Sequence, residues 1–472
     1  MLSIVKETHI APDIIIEPTC GVGAILLAAH AAFPSTHVAG IEINKAYCDV
    51  LSAQVNDKQQ ITIVNADIFK SMAIIKEISA PCETCLFIGN PPWVTNAAIS
   101  AAGGTNLPVK ENTRGLRGID AITGKSNFDI SEYIIMKMIE TFSAHKSLFA
   151  FLCKTTTARN ILKQCWNNAL YYKDASLFPF DAKKYFSAAV DACFLVMDFT
   201  ERTTVTECAV YDSIENRRYQ NRLGFFQGKM IADIDNFNSY NYLGKSDYIW
   251  RNGIKHDCAK VMELDIIGTK LRNGYGETVD IEDTLLFPLL KSSDIANGNL
   301  EIRKNIIVPQ KRVGEETALI KRKYPKTWKY LSDHITDFSM RKSVVYKNKP
   351  LFSIFSVGDY SFSPVKIAIS GLYKHLAFRI LLPQQKKSVM LDDTCNFIAC
   401  STEAEADMIY ALLTSVETRR FLDSIIFWDS KRPVTTELLN SIDLKKIARK
   451  QYPELRYESL AKKQSGAQIA LF

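Results

Sequence analysis

The residues best suited to chemistry form a short turn, Asn90-Pro91-Pro92-Trp93. An apolar run, Leu86 to Ile88, precedes it and predicts the end of a buried strand, with Gly89 between the two. The prolines hold their φ angles near about −65° and have no N–H to donate. The turn therefore presents a side-chain amide, a carbonyl oxygen and a flat ring at the carboxyl end of a strand. Ligands of open α/β sheets bind at that edge.

A second ligand-binding pattern lies upstream, where an apolar stretch over 13–17 runs into Glu17-Pro18-Thr19-Cys20-Gly21-Val22-Gly23 and then into a predicted helix over 24–32. A strand, a Gly-x-Gly turn and a helix form a nucleotide-type site, because the missing Cβ atoms let a ligand approach the backbone. Leu26 occupies the place of the third glycine of a dinucleotide fingerprint, so the pattern alone is a weak signal.

The next two predicted strands each lead to an acidic residue. Glu42 ends the strand over 38–43, about twenty residues after the glycines, where a carboxylate can accept both ribose hydroxyls of a nucleoside. Asp67 follows the strand over 61–64, placed to accept a hydrogen bond from an exocyclic amine, with Ile68 or Phe69 beside a base. Four successive strands thus carry polar residues just beyond their ends.

In this combination the chain resembles the S-adenosylmethionine-dependent amino-methyltransferases, and most closely the adenine-N6 DNA methyltransferases of restriction–modification systems. The resemblance spans about residues 11–200 and rests on four motifs: Glu17 to Gly23, Gly40-Ile41-Glu42-Ile43, Asn65-Ala66-Asp67 and Asn90-Pro91-Pro92-Trp93. Beyond them it rests on layout, since cofactor motif, catalytic motif and recognition region follow one another in the gamma-class order.

The resemblance implies S-adenosyl-L-methionine as the cofactor. It places the methionine part against the first motif, the ribose at Glu42 and the adenine near Asp67. The implied cofactor residues are Glu17, Pro18, Thr19, Gly21, Gly23, Glu42, Ile43, Asp67 and Ile68.

The turn itself explains how a poor nucleophile could react. The N6 lone pair of adenine is delocalised into the ring. The Asn90 side-chain oxygen and the Pro91 carbonyl can accept both N6 hydrogens and favour a pyramidal nitrogen, whose lone pair then points at the sulfonium methyl. The base must leave the duplex to reach such a site, and Trp93 would stack on it. The resemblance implies a second aromatic, Phe186 or its neighbour Tyr185, with Phe186 preferred.

The expected fold is α/β: a Rossmann-like catalytic domain over 1–200, with a mostly parallel seven-stranded sheet and helices on both faces, and a mixed α+β target-recognition domain over 201–472. Two helices are expected near the end of the chain, over 403–424 and 435–450.

Double-stranded DNA is the expected partner, and basic residues in polar turns are its candidate contacts. Those near the Asn90 turn belong to a long Gly-rich stretch, 95–127, and the others to the second part of the chain. They are Lys110, Arg114, Arg117, Lys125, Arg251, Lys255, His256, Arg272, Lys291, Lys431 and Arg432. A solvated surface loop is the alternative for each turn taken singly.

The charge distribution supports a polyanion partner for the second part. Residues 1–200 hold 17 Lys and Arg against 18 Asp and Glu, whereas residues 201–472 hold 41 against 33. The whole surplus of +7 therefore lies after residue 200.

Composition excludes several other classes. The absence of a long apolar run predicts no membrane span, and the N-terminal residues do not form a signal peptide. Eleven scattered cysteines fit a reduced, cytoplasmic protein. The single C-x-x-C, Cys82 to Cys85, lacks further ligands nearby, so no metal is expected.

One departure from the gamma pattern concerns the start of the chain, where only a short stretch precedes Asp13 and the usual leading cofactor segment has little room. Methylation of cytosine N4, RNA adenine or a glutamine side chain stays open as an alternative, as does a non-catalytic DNA-binding subunit. Asn at position 90 disfavours cytosine N4. A separately encoded restriction endonuclease is an open question.

Overall fold

The computed structural model describes residues 1–55, 59–94 and 129–451. The chain divides into two compact units, Met1–Asp235 and Asn236–Phe472. This division falls after Asp235 and not after residue 200, because the strands that follow residue 200 still belong to the first sheet.

Unit 1 alternates strands and helices up to its seventh strand and then adds three strands. Its elements are α1 (Leu2–Glu7), β1 (Ile14–Glu17), α2 (Ala24–Ala32), β2 (His37–Glu42), α3 (Lys45–Gln54), β3 (Ile61–Asn65), α4 (Met72–Ser79), β4 (Thr84–Gly89), α5 (Ile130–Phe142), β5 (Lys146–Lys154), α6 (Thr155–Asn167), β6 (Asp174–Asp181), α7 (Ala182–Phe186), β7 (Asp191–Asp198), β8 (Glu207–Tyr211), β9 (Tyr219–Phe226), β10 (Lys229–Ile231) and α8 (Ile234–Ser239), the last of which crosses the division between the units.

The ten strands form one sheet in the order β10-β9-β8-β6-β7-β5-β4-β1-β2-β3. The sheet therefore has ten strands where seven were expected. Strands β1 to β5 pair in parallel, whereas β7 runs antiparallel to both β5 and β6. Strand β8 pairs in parallel with β6 and carries the added β9–β10 hairpin.

The central strands of this sheet consist almost entirely of apolar residues, because both faces of the sheet are covered, as is usual for parallel strands. Every residue of β1 is buried, as are the last five of β4. One apolar core joins β1, β4 and β5 to α2, and it includes Ile4 and Val5 of α1. The N-terminal stretch is thus a short helix packed into the core.

The order of strands reverses between β1 and β4, since the chain moves from β1 outward to β3 and then returns to β4 on the other side of β1. Such a reversal opens a crevice at the carboxyl ends of the two strands, where ligands of this class of sheet bind. Glu17 and Asn90 lie at this point.

Unit 2 contains two antiparallel-rich sheets, ordered β11-β20-β17-β18 and β14-β13-β12-β16-β15-β19. Its elements are β11 (Arg251–Asn252), α9 (Ala259–Met262), β12 (Glu263–Ile267), β13 (Lys270–Arg272), β14 (Thr278–Val279), β15 (Leu286–Leu290), α10 (Ser292–Asn297), β16 (Lys304–Ile307), α11 (Ile320–Lys323), α12 (Pro325–Asp333), α13 (Ile335–Ser339), β17 (Val365–Ser370), β18 (Arg379–Leu381), β19 (Met390–Leu391), β20 (Cys395–Cys400), α14 (Glu403–Thr414), α15 (Val416–Ile425), α16 (Thr436–Asn440) and α17 (Leu444–Gln451).

Each of the two helices expected at the end of the chain is a pair of helices. Ser415 is the break in the first, because its extended backbone (ψ 153°) ends α14 while its hydroxyl accepts a hydrogen bond from the Thr418 N–H and caps α15. Within the described residues, no helix combines the length and apolarity that crossing a membrane requires.

Candidate active site

At the crevice between β1 and β4, three buried polar atoms have no hydrogen-bond partner among the residues that the structure describes. They are Glu17 Oε2, Thr19 Oγ1 and Asn90 Oδ1. A buried polar atom left unpaired costs about 1–3 kcal/mol. Three such atoms at the ends of two adjacent strands are typical of a site built for a polar ligand.

Glu17 is the most buried of these residues, with 2% of its surface exposed. Burial raises the pKa of its carboxyl to about 9, a backbone hydrogen bond from the Leu26 region offsets part of this, and the nearby Glu42 charge raises it further. With this pKa, the carboxyl is protonated at neutral pH. Gly89 packs against this side chain, since a Cβ there would lie 3.4 Å from Glu17 Cγ.

The turn between β1 and α2 uses its two glycines differently. Gly23 has φ +87°, and a Cβ there would lie 2.2 Å from Leu51 Cδ1, so packing excludes a side chain. Gly21 has φ +55° and faces open space. The Gly21 N–H donates to Glu42 Oε2 at 2.9 Å, which ties the turn to the end of β2.

Glu42 also accepts from the Asn44 N–H through Oε1 at 2.7 Å. Each carboxylate oxygen has capacity for a further hydrogen bond. Asp67 caps the short 3-10 helix Ile68–Lys70 through Oδ1, which accepts from the Phe69 N–H. Ile68 is buried, whereas Ile43 is 54% exposed. The Asn65 amide donates to the carbonyl oxygens of Glu42 and Ile43 and so joins the ends of β2 and β3.

Trp93 is held at its ring and at its backbone. The Trp93 indole N–H donates to the Leu152 carbonyl at 3.3 Å. The Trp93 carbonyl accepts a hydrogen bond from the Lys154 ammonium at 3.0 Å. The Phe186 ring stands edge-on at 5.4 Å, and Phe180 lies 6.2 Å away. Phe186 is 45% exposed, as a ring facing a ligand would be.

The two candidates for the second aromatic have different contacts. Phe186 contacts Trp93, whereas the Tyr185 hydroxyl donates to Glu215 Oε1 at 2.8 Å. Both lie on the short helix α7. Lys154 and Asp129 were missed by the sequence analysis. Their signals were a lysine ending an apolar strand and an aspartate placed to cap the helix after the Gly-rich stretch.

Several predicted DNA contacts of unit 2 have partners inside the fold. His256 is buried, and Lys291 Nζ donates to both carboxylate oxygens of Glu263 at 2.9 Å. Burial alone would raise the pKa of Glu263, but hydrogen bonds from His256 and Lys291 outweigh it and lower the pKa to about 2. His256 and Lys291 therefore serve an internal ion cluster.

The remaining basic residues of unit 2 differ in exposure and in their partners. Lys255 pairs with Asp257 at 2.8 Å, and Arg251 stacks over the Tyr360 ring at 4.5 Å. Arg272, Lys431 and Arg432 are exposed. Lys110, Arg114, Arg117 and Lys125 lie outside the described residues.

All eleven cysteines are free, including Cys82 and Cys85. Among the residues that the structure describes, no group of His, Cys, Asp and Glu is arranged to hold a metal ion.

Comparison with solved structures shows the fold. The chain is similar to the Type IIL restriction-modification enzyme MmeI, solved in complex with DNA, with a TM-score of 0.57 and 12% identity over 90% of this chain. It spans 62% of the MmeI chain. A modification subunit of a putative type I restriction enzyme from Vibrio vulnificus is 10% identical over 46% of this chain and 47% of that chain. Its TM-score of 0.30 is too low to show a shared fold.

Comparison of sequences shows the family. No family model matches the chain. The Type II methyltransferase M.NspV from Nostoc sp. is 42% identical over 452 residues, which cover 94% of this chain and 93% of that protein. The chain therefore belongs to the Type II methyltransferases. The expected enzyme class, a methyltransferase, is confirmed.

Proposed function

We propose that this chain is a site-specific DNA methyltransferase that transfers a methyl group from S-adenosyl-L-methionine to N6 of an adenine flipped out of duplex DNA. The observation that supports it most is that two buried oxygens at neighbouring strand ends, Glu17 Oε2 after β1 and Asn90 Oδ1 after β4, both lack a hydrogen-bond partner among the described residues. The cofactor ammonium would donate a hydrogen bond to Glu17, and the substrate amine would donate one to Asn90.

The cofactor would lie along the ends of β1, β2 and β3. The Glu17 carboxyl would ionise and accept from the methionine ammonium, with Pro18 and Thr19 beside it. The open face of Gly21 would admit the cofactor backbone, while Gly23 closes the turn against Leu51. Bound S-adenosylmethionine supplies an electrophilic methyl group on its sulfonium.

The nucleoside part would meet the residues after β2 and β3. Glu42 would accept the ribose hydroxyls with its remaining lone pairs, and the exposed Ile43 would cover the sugar or base. Asp67 would accept from the cofactor's exocyclic amine, with Ile68 packed below it. These hydrogen-bonding and apolar side chains fit the nucleoside part of S-adenosyl-L-methionine.

The target base would be held by the Asn90 turn. Asn90 Oδ1 and the Pro91 carbonyl oxygen would each accept one N6 hydrogen, so that the nitrogen lone pair turns toward the methyl group. Trp93 would cover one face of the base and Phe186 its edge or second face. Within the described part of the chain the Asn90 oxygen has no hydrogen-bond partner, so accepting the amine would break no hydrogen bond there.

DNA would be recognised by the part after residue 200, which holds the basic surplus. Arg251, Lys255, Arg272, Lys431 and Arg432 are its proposed contacts in unit 2, and Lys110, Arg114, Arg117 and Lys125 those near the Asn90 turn. MmeI, which shares the fold, was solved with DNA bound. A cognate endonuclease would be a separate chain.

The test is to incubate unmethylated bacterial DNA with the purified full chain and isotope-labelled S-adenosylmethionine, then map modified bases at single-nucleotide resolution. We expect label in adenine N6 at one short sequence. Label in cytosine N4 or in RNA would overturn the adenine assignment. The absence of transfer, with DNA still bound, would support the non-catalytic alternative.

A further inference from the structure

Lys154, the last residue of β5, joins three parts of unit 1. Its Nζ donates to the Trp93 carbonyl at 3.0 Å and to Asp129 Oδ2 at 2.6 Å. The two side chains are 22% and 8% exposed, so water screens this ion pair far less than a surface pair.

Asp129 in turn fixes the start of α5. Its second oxygen, Oδ1, accepts from the backbone N–H of Ser131 at 3.1 Å and from the Ser131 hydroxyl at 2.5 Å. The next residue, Ile130, donates its N–H to the Val94 carbonyl at 2.9 Å. The chain leaving the Asn90 turn and the chain entering α5 are therefore held side by side.

The Asn90 turn needs such support because its own backbone provides little. Pro91 and Pro92 have no N–H, so neither can donate a hydrogen bond that would tie the turn to a neighbouring strand. The polar atoms that hold the turn's far end come from β5: the Leu152 carbonyl accepts from the Trp93 indole, and Lys154 donates to the Trp93 carbonyl.

We propose that Lys154 is a positioning residue that fixes the Asn90 turn against β5 and the start of α5, so that Asn90 Oδ1 and the Pro91 carbonyl meet the target amine in register. The inference rests on the proposed function. A displacement of about 1 Å at a reacting centre can cost about 100-fold in rate, so loss of this support is felt in the transfer step more than in binding.

The test compares Lys154→Met, which removes the donor and keeps the stem, with Lys154→Arg, whose guanidinium can donate to both acceptors. Lys173→Met is the matched control, because it breaks an exposed Lys–Glu pair of unit 1 (Lys173 Nζ to Glu201 Oε1, 2.8 Å). Hydrogen exchange of peptides over the start of α5 reports the support directly, and it needs neither cofactor nor DNA.

In Lys154→Met we expect exchange at Ile130 to accelerate about tenfold or more, with peptides of β7 unchanged. Single-turnover transfer at saturating DNA and cofactor should fall about 10- to 100-fold, with both Kd values within about threefold. Lys154→Arg should recover most of the rate, and Lys173→Met should match the wild type.

Unchanged exchange and rate in Lys154→Met would overturn the proposal. Equal losses in Met and Arg would do so too, as would a rate loss fully explained by weaker DNA or cofactor binding. If Lys154→Met does not fold, Lys154→Gln, which retains one donor, is measured against the same criteria. If the wild type methylates no DNA, the proposed function fails, while hydrogen exchange still decides whether Lys154 supports the turn.

Discussion

Glu17 carries a carboxyl that is buried at the end of β1 with a pKa of about 9. Between pH about 4.5 and about 9 the folded chain holds this proton, whereas the unfolded chain has released it. Folding therefore takes up a proton, and the free energy of unfolding falls as pH rises through this window, by up to about 1.4 kcal/mol per pH unit.

Glu17→Gln removes that titration and keeps the shape of the side chain. We predict that the variant has a larger free energy of unfolding than the wild type at pH 8 and that this difference shrinks toward pH 5. Its affinity for S-adenosylmethionine should fall at least about tenfold, because the charge that would pair with the cofactor ammonium is lost. Urea unfolding from pH 5 to 8.5 measures the first effect and calorimetry the second. Glu77→Gln, at an exposed site, is the control. Parallel pH profiles for wild type and Glu17→Gln would contradict the assignment.

At the scale of elements, the β1–α2 turn is the part of the proposed cofactor site whose local structure the sequence predicts best. Its helix bounds, 24–32, agree with the structure because the left-handed Gly23 starts the helix and Ala and Leu favour it. Strand β6 is different: Pro179 interrupts its apolar run and argues against a strand, yet β6 lies between β7 and β8 in the sheet. Tertiary pairing here overrides local preference.

The two glycines of this turn predict different consequences for alanine substitution. Gly23→Ala must overcome both a positive φ and a Cβ 2.2 Å from Leu51 Cδ1, so we expect a loss of about 2–4 kcal/mol in the free energy of unfolding. Gly21→Ala meets only the φ penalty, about 1 kcal/mol. Its methyl group would face the proposed cofactor, so its main effect should be weaker S-adenosylmethionine binding. Denaturant unfolding and calorimetry on both variants test this, and equal stability losses would contradict it.

In unit 2, sequence patterns identify turns, but they do not show which basic residues form ion pairs within the fold. Asn273-Gly274-Tyr275-Gly276 has the composition of a turn, and it joins the antiparallel strands β13 and β14. By contrast, the partner of Lys291 is Glu263, 28 residues earlier, a contact that exists only once β12 and α10 have packed. Long-range pairings of this kind carry no local signal.

At the scale of the whole molecule, the parallel part of the sheet was predictable, and so was the position of the candidate site residues at the ends of its strands, because four strands each bring their polar residues to one edge. The extension to ten strands was not, because the pairing of β8 with β6 joins residues far apart in the sequence, such as Ser176 and Ala209, and leaves no local signal. The division at Asp235 follows from that extension. The motifs fixed the placement of the proposed cofactor and base sites, whereas the supporting residues Lys154 and Asp129 emerged only from tertiary contacts.

DNA binding by the whole chain should depend on salt through the exposed basic residues of unit 2. We predict that replacing Lys431 and Arg432 together by Gln makes the slope of log K for DNA binding against log salt less negative by about 1–2, because two phosphate contacts are lost. The methylated sequence should not change. Fluorescence anisotropy over a salt series measures the slope. Lys329→Gln, at another exposed site of unit 2, is the control, and an unchanged slope in the double variant would remove this turn from the interface.

The most direct test of the proposed mechanism is the single-turnover rate of Asn90→Ala, measured with saturating S-adenosylmethionine and DNA alongside the Kd for each. The substitution removes a buried oxygen that no other described residue contacts by a hydrogen bond, so loss of this oxygen should not destabilise the described fold. We predict a fall in rate of at least about 100- to 1,000-fold with both Kd values within about threefold of the wild type. Transfer to adenine at a rate near that of the wild type would contradict the role given to the Asn90 turn.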